Sequence, residues 1–171
     1  MDLRIREMTD ADCDAVAEIR IRGWQTAYRG MVPQAYLDAL SVAEDAARQR
    51  RRLAAGGPRV DLVAERAGSV VGWACHGPYR EGETHTADGE LYALYVHPEY
   101  IGTGAGRALM AATQRAAAAA GWPRLLLWVL KRNARARRFY ERAGFTPDGA
   151  EEPFEVQGVS VPEVRYVREL T

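Results

Sequence analysis

The chain has 171 residues, the usual size of one domain, and its 47% hydrophobic and 27% charged residues are those of a globular fold rather than a disordered chain. Twenty-three Lys and Arg balance 23 Asp and Glu, which argues against a protein held to nucleic acid or anionic lipid by long-range attraction, so any anion site must be local. Cys13 and Cys75 are the only cysteines and lack CxxC spacing, no secretory leader follows the charged start MDLRIREMTDAD, and no apolar run approaches the ~20 residues of a membrane span. The expectation is one cytoplasmic domain over 1–171, without a disulfide framework, a zinc ribbon or a membrane partner.

Leu3 to Arg6 alternates as a strand, and Thr9-Asp10-Ala11-Asp12 offers caps for a helix in which Val16, Ile19 and Ile21 recur at roughly helical spacing. Gly30 and Pro33 punctuate the chain. Tyr36, Leu37, Leu40 and the Ala- and Arg-rich run from Ala46 to Ala55 then predict a second helix, ended by Gly56-Gly57-Pro58. Val60 to Ala64 and Val70 to Cys75, joined by Arg66-Ala67-Gly68-Ser69, predict an antiparallel hairpin, and the polar stretch Tyr79 to Gly89 reads as a loop. Leu91 to Val96 predicts a strand closed by His97-Pro98. Gly102-Thr103-Gly104-Ala105-Gly106 then opens a helix with Ala108, Leu109, Ala112 and Ala116 on one face.

The apolar run Leu125 to Leu130 is too short for a typical helix and predicts a buried central strand. Asn133 fits the N-cap of the next helix and Gly144 its stop, and Phe154 to Val156 and Val161 to Val167 close as a hairpin around Gly158. No repeat or linker interrupts this order, which predicts an α/β (α+β) fold, a mixed sheet with helices on both faces.

The run Ile101-Gly102-Thr103-Gly104-Ala105-Gly106-Arg107 lies where a strand gives way to a helix, and there unpaired N–H groups and the positive end of the helix dipole favour phosphate. Alternate glycines let the backbone approach a pyrophosphate closely; a tight turn alone is the plainer reading. A P-loop requires GxxxxGK[ST], which Gly106 does not continue. A dinucleotide fold requires GxGxxG and an acidic residue ~20 positions on, where the chain has the apolar Leu125 to Leu130.

The segment LYVHPEYIGTGAGRALM resembles the acetyl-CoA motif, [QR]xxGx[GA] after an apolar strand, of the GCN5-related N-acetyltransferases (GNAT). Asn133 to Phe145 is similar to the same family's NxxAxxFYExxGF signature, in the right order. The likeness is sharp from Glu90 to Phe145 and looser from Leu3 to Cys75. It departs at Ile101, where the family has Gln or Arg and a side-chain hydrogen bond to the cofactor is lost.

The resemblance implies a mostly antiparallel twisted sheet flanked by helices, with its central strands splayed to admit pantetheine. It implies that main-chain groups of Leu94, Tyr95 and Val96 bond the pantetheine amides and polarise the thioester carbonyl, while Gly102, Thr103, Gly104, Ala105, Gly106 and Arg107 cradle the pyrophosphate. The side chains of Leu94 and Val96 read as core. Glu90 matches the position of a catalytic glutamate, suited to take the proton of an alkylammonium, directly or through one water; a strand-edge charge facing solvent is the alternative. Tyr140 matches the tyrosine that protonates the departing thiolate and touches the cofactor, and Asn133 a position that contacts cofactor or substrate besides capping its helix.

Trp24, Tyr28 and Tyr36 lie in the region that covers the acceptor in related folds, although aromatic residues at i and i+4 also suit a core. Trp24 and Tyr28 are the substrate-side candidates, with Glu90. Glu81, Glu83 and Asp88 suit either a cationic amine or a hydrophilic turn. The run Lys131, Arg132, Arg135, Arg137 and Arg138 reads as a solvated face from which a CoA 3′-phosphate contact is drawn, and it lacks the interleaved aromatics of an RNA-stacking platform. His76, His85 and His97 have no metal-ligand spacing, so no metal is expected, and Cys75 reads as a buried apolar residue rather than a nucleophile.

The resemblance implies acetyl transfer from acetyl-CoA to a primary amine of a small molecule by direct attack in a ternary complex; acetylation of a protein N-terminus or lysine, and a non-catalytic acyl-CoA sensor, are the alternatives. A homodimer is a further expectation of the resemblance. Lys131 as the only lysine points to a GC-rich bacterial source.

Overall fold

Seven strands join in one open sheet, of order β1-β2-β3-β4-β5-β7-β6, in a computed structural model that describes residues 2–81 and 84–170. Glu83 lies outside the described residues, as do the side chains of Glu81 and His85. In chain order the elements are β1 (Leu3–Glu7), α1 (Cys13–Ala27), α2 (Gln34–Asp38), α3 (Val42–Ala55), β2 (Val60–Arg66), β3 (Ser69–Glu81), β4 (Thr84–Val96), α4 (Ala105–Ala119), β5 (Arg124–Leu130), α5 (Ala134–Arg142), β6 (Thr146–Val156) and β7 (Val159–Glu169). Every neighbouring pair is antiparallel except β4 and β5.

Two expectations change. Among the described residues of Tyr79 to Gly89, Tyr79–Glu81 continue β3 and Thr84–Gly89 belong to β4 rather than to a loop, with Pro78 opposite Gly89 and Arg80 opposite His85. Polar residues are no obstacle there, because an antiparallel ribbon satisfies its own backbone hydrogen bonds whatever its composition. The second predicted helix is two, because Ser41 starts a new one by accepting a hydrogen bond from the Glu44 N–H (3.2 Å), three residues after α2 ends.

The two faces of the sheet are covered differently. On one, Leu109, Met110 and Ala117 of α4 pack over Val71, Ala74, Leu125, Leu127, Phe145 and Tyr166. On the other, Cys13 and Val16 of α1 pack on Val63, Trp73 and Cys75, and Val32 and Leu37 sit against Leu130, Val156 and Val161. The entry into α1 is held by buried Asp12, which accepts two hydrogen bonds from the Arg6 guanidinium (2.8 and 2.9 Å) and one from the Thr9 N–H (2.8 Å). The Arg6 charge lowers the Asp12 carboxyl below its ordinary value.

Candidate active site

The sheet opens at its centre. β4 and β5 pair only at Gly89 with Leu125 and Glu90 with Leu126; beyond these, Leu91–Val96 and Leu127–Leu130 stay paired to β3 and β7 but not to each other. A cleft of about 1640 Å³ enters this gap, beyond the ~300–1,000 Å³ of a pocket for one drug-sized ligand, which is room for a cofactor and an acceptor together. Gly89 marks the divergence: a Cβ there would stand 2.0 Å from Cε3 of Trp122.

At one end of the cleft, Gly104 is the N-cap of α4 in the left-handed region (φ 98°), and Gly102 shares that hand (φ 82°). Gly102, Gly104, Gly106 and Arg107 line the cleft, as does Ile101, 37% exposed. Thr103 and Ala105 do not: the Thr103 hydroxyl donates to the Tyr100 carbonyl (2.5 Å), and Ala105 is buried in the core beneath α4. Arg66 braces the loop from β2 by donating to the Thr103 carbonyl (3.0 Å).

The basic run, undivided in sequence, divides in space. Arg135 and Arg138 line the cleft, Arg137 turns to the Tyr166 hydroxyl and the Lys131 carbonyl, and Lys131 pairs with Glu151. Asn133 caps α5, its Oδ1 accepting from the Ala136 N–H (3.2 Å), and it also lines the cleft.

Glu90 is buried rather than a solvent-facing edge charge, 7% exposed on the cleft wall, with Oε1 accepting from the Arg80 N–H (3.1 Å). Burial pushes its carboxyl above the ordinary value, against the pull of that hydrogen bond and of the Arg80 and Arg59 charges. Tyr140 of α5 lines the same cleft, its ring edge-on to Phe139 (5.4 Å) and Phe145 (6.1 Å). Burial raises its phenol well above the usual tyrosine range, so it is protonated at neutral pH.

Trp24, Tyr28 and Phe154 wall the other end: Trp24 meets Tyr28 at 4.8 Å and Phe154 at 6.0 Å, and the Tyr28 and Tyr95 hydroxyls share a hydrogen bond (3.3 Å). These aromatics are core and cleft wall at once. Leu94, Tyr95 and Val96 line the cleft; the side chains of Leu94 and Val96 pack in the core under α4 and that of Tyr95 stacks on Trp73.

Some candidates lie elsewhere. Asp88 is buried in an ion pair with Arg124 (2.7 Å) and serves the fold. Burial pushes the Cys75 thiol up to about 11, in keeping with a structural residue. Among the described residues no group of three or more His, Cys, Asp or Glu is placed to hold a metal, and no helix is long and apolar enough to cross a membrane.

Sequence reading missed Glu163. It stands opposite Leu130 on β7 and lines the cleft. The signal was available: in the alternating strand Val161-Pro162-Glu163, the carboxylate shares the face of buried Val161.

The profile of the acetyltransferase (GNAT) family matches residues 24–145, and the chain belongs to that family. It is therefore an enzyme, an N-acetyltransferase. It is 34% identical to the N-acetyltransferase YuaI of Bacillus subtilis, over 94% of this chain and 89% of that protein. A mycothiol acetyltransferase of Thermobispora bispora is 40% identical over 50% of this chain, a match that takes in 29% of that protein. Among solved structures, yncA of Salmonella typhimurium with acetyl-CoA shares the fold at TM-score 0.75 and 24% identity, over 100% of this chain and 95% of that one. PaiA N-acetyltransferase of Thermoplasma acidophilum in complex with coenzyme A does so at TM-score 0.74 and 18% identity, over 99% of each.

Proposed function

We propose that this domain transfers acetyl from acetyl-CoA to a primary amine of a small molecule, by direct attack in a ternary complex. The observation that carries this reading is that Glu90, Tyr140, Gly102, Gly104, Gly106 and Arg107 line one continuous cleft at the point where β4 and β5 separate.

Pantetheine lies in the gap and bonds the main chain of Leu94 to Val96, which has no strand partner on that side. The pyrophosphate rests on Gly102, Gly104, Gly106 and the first-turn N–H groups of α4, with charge from Arg107. Because Ile101 offers no hydrogen bond, this grip is mainly main-chain. Arg135 and Arg138 are the candidates for the 3′-phosphate.

Glu90 takes a proton from the bound ammonium, directly or through one water. The freed nitrogen attacks the thioester carbonyl carbon, whose developing oxyanion meets main-chain N–H groups of β4. As the C–S bond breaks, the sulfur takes the Tyr140 proton, and the second proton lost by the attacking nitrogen restores the phenol and leaves a neutral amide. A carboxyl held above its ordinary value is a stronger base than a surface one, while a phenol that resists ionisation stays in its donating form. The aromatic wall of Trp24, Tyr28 and Phe154 closes the acceptor end and favours a small acceptor over an extended peptide.

CoA thiol release from acetyl-CoA, measured across amino acids, aminoglycosides, polyamines and short peptides with acetyl-CoA binding followed in parallel, tests this reading. Amine-dependent release names the acceptor class. Binding without release from any acceptor would favour a sensor.

A further inference from the structure

The acceptor side of the cleft holds a carboxylate that the transfer chemistry does not use. Strand register gives its place. Glu90 is level with Leu126 and Glu163 with Leu130 on the intervening β5. These levels are four residues apart, about 13 Å along the strand at the backbone. Directly paired residues and alternate residues of a strand share a face, so Glu90, Leu126, Trp128, Leu130 and Glu163 look to one side of the sheet, the side covered by α1. Trp128 lies between the two carboxylate levels and lines the cleft.

The Glu163 backbone is paired within the sheet, but among the described residues its carboxylate accepts no side-chain or backbone hydrogen bond and has no ion-pair partner. The residue opposite it on β6 is another carboxylate, Glu152. Burial and the charges of Glu152 and Glu90 all disfavour its ionised form. The cations nearby are committed or displaced: Arg165, two residues on, donates to Asp148 (2.6 Å) and to the Tyr79 hydroxyl (2.9 Å), Arg20 pairs with Asp45 (3.0 Å), and Arg80 lies over the Tyr92 ring near Glu90. A half-buried carboxylate without a counter-charge is costly unless a ligand supplies one.

The reacting nitrogen cannot be that counter-charge, because it must be neutral to attack. We infer that Glu163 is a specificity-determining residue that binds a second, cationic nitrogen of the acceptor, so that the preferred substrate is an aliphatic diamine or longer polyamine whose spacer crosses Trp128. This rests on the small-amine reading above and names the acceptor within it. The spacer is apolar and crosses the indole of Trp128, over which the Arg165 guanidinium also lies (5.6 Å to the ring centroid); the two ends are ammonium groups in water, and one of them loses its proton at Glu90. Glu163 takes no part in the bond changes.

The test compares α,ω-diamines with monoamines of equal chain length as acceptors for wild type, Glu163→Gln and Glu163→Asp, with folding and acetyl-CoA binding checked for each. The wild type is expected to favour the diamine by about ten- to a hundredfold in kcat/KM, the range of a hydrogen bond to a charged group. In Glu163→Gln that ratio should collapse toward one, chiefly through KM for the diamine. Glu163→Asp, which keeps the charge on a shorter arm, should retain the preference with the best acceptor about one methylene longer. A merely structural Glu163 would lower both acceptors together and leave the ratio intact. An unchanged ratio in Glu163→Gln, equal use of mono- and diamines by the wild type, or a best acceptor that is a carboxylate-bearing amino acid would overturn the inference while leaving acetyl transfer to small amines standing. No transfer to any amine, with acetyl-CoA bound, would overturn both.

Discussion

Glu90 and Leu126 form the last parallel pair before β4 and β5 separate, so the carboxylate stands where the sheet opens. A strand that ends its pairing to one neighbour at a buried acid leaves the backbone groups that follow unpaired on that side, so the carboxylate stands next to a row of free donors and acceptors.

Replacing Glu90 by Gln separates chemistry from stability. With Glu90 as the proposed base, the substitution should lower kcat/KM by about 10²- to 10⁴-fold. The carboxyl is held above its ordinary value in the fold, so the native state keeps the proton that the unfolded chain releases. Stability from this group is complete below the unfolded value of about 4.3 and is lost as pH rises through the higher native value. Glu90→Gln should therefore have a higher Tm than wild type at pH 7 to 8 and no advantage near pH 4, as thermal melts across pH would read.

Tyr140→Phe should lower turnover by about 10²-fold while the Kd for acetyl-CoA changes much less, because the ring keeps its contacts with Phe139 and Phe145. Equal turnover in mutant and wild type would remove the hydroxyl from the proton transfer.

Gly89→Ala places a methyl 2.0 Å from Cε3 of Trp122, where only a shift of the indole or of β4 relieves the clash. A loss of roughly 1–3 kcal/mol is expected from overpacking. Because the next residue is Glu90, kcat should fall too; denaturant melts and steady-state kinetics on one preparation read both.

Ile101→Arg adds a guanidinium at the mouth of the glycine loop, where the side chain is 37% exposed. Acetyl-CoA should bind about 1.4- to fivefold more tightly, as an exposed ion pair gives ~0.2–1 kcal/mol. The gain should fade at high salt, which calorimetric titrations at two ionic strengths would show.

Much of the molecule is written locally. Asn133 as a cap, the glycines before α4, the Leu125–Leu130 strand and the hairpin turned at Ala67-Gly68 depend on residues within one turn or one strand, and each stands as expected. The two motifs at Glu90–Phe145 likewise carry the family in their spacing.

Other features depend on contacts between distant parts of the chain. That Tyr79–Glu81 and Thr84–Gly89 are strand follows from a ribbon whose partners satisfy its polar backbone, not from its composition. That Glu163 shares a cleft with Glu90, and Tyr28 a hydrogen bond with Tyr95, follows from β7 pairing with β5 and from α1 lying over the same face. Capping, period and chirality act on neighbours in sequence and can be read there. Burial of a carboxylate, and the loss of its water, exists only once strands distant in sequence have closed around it.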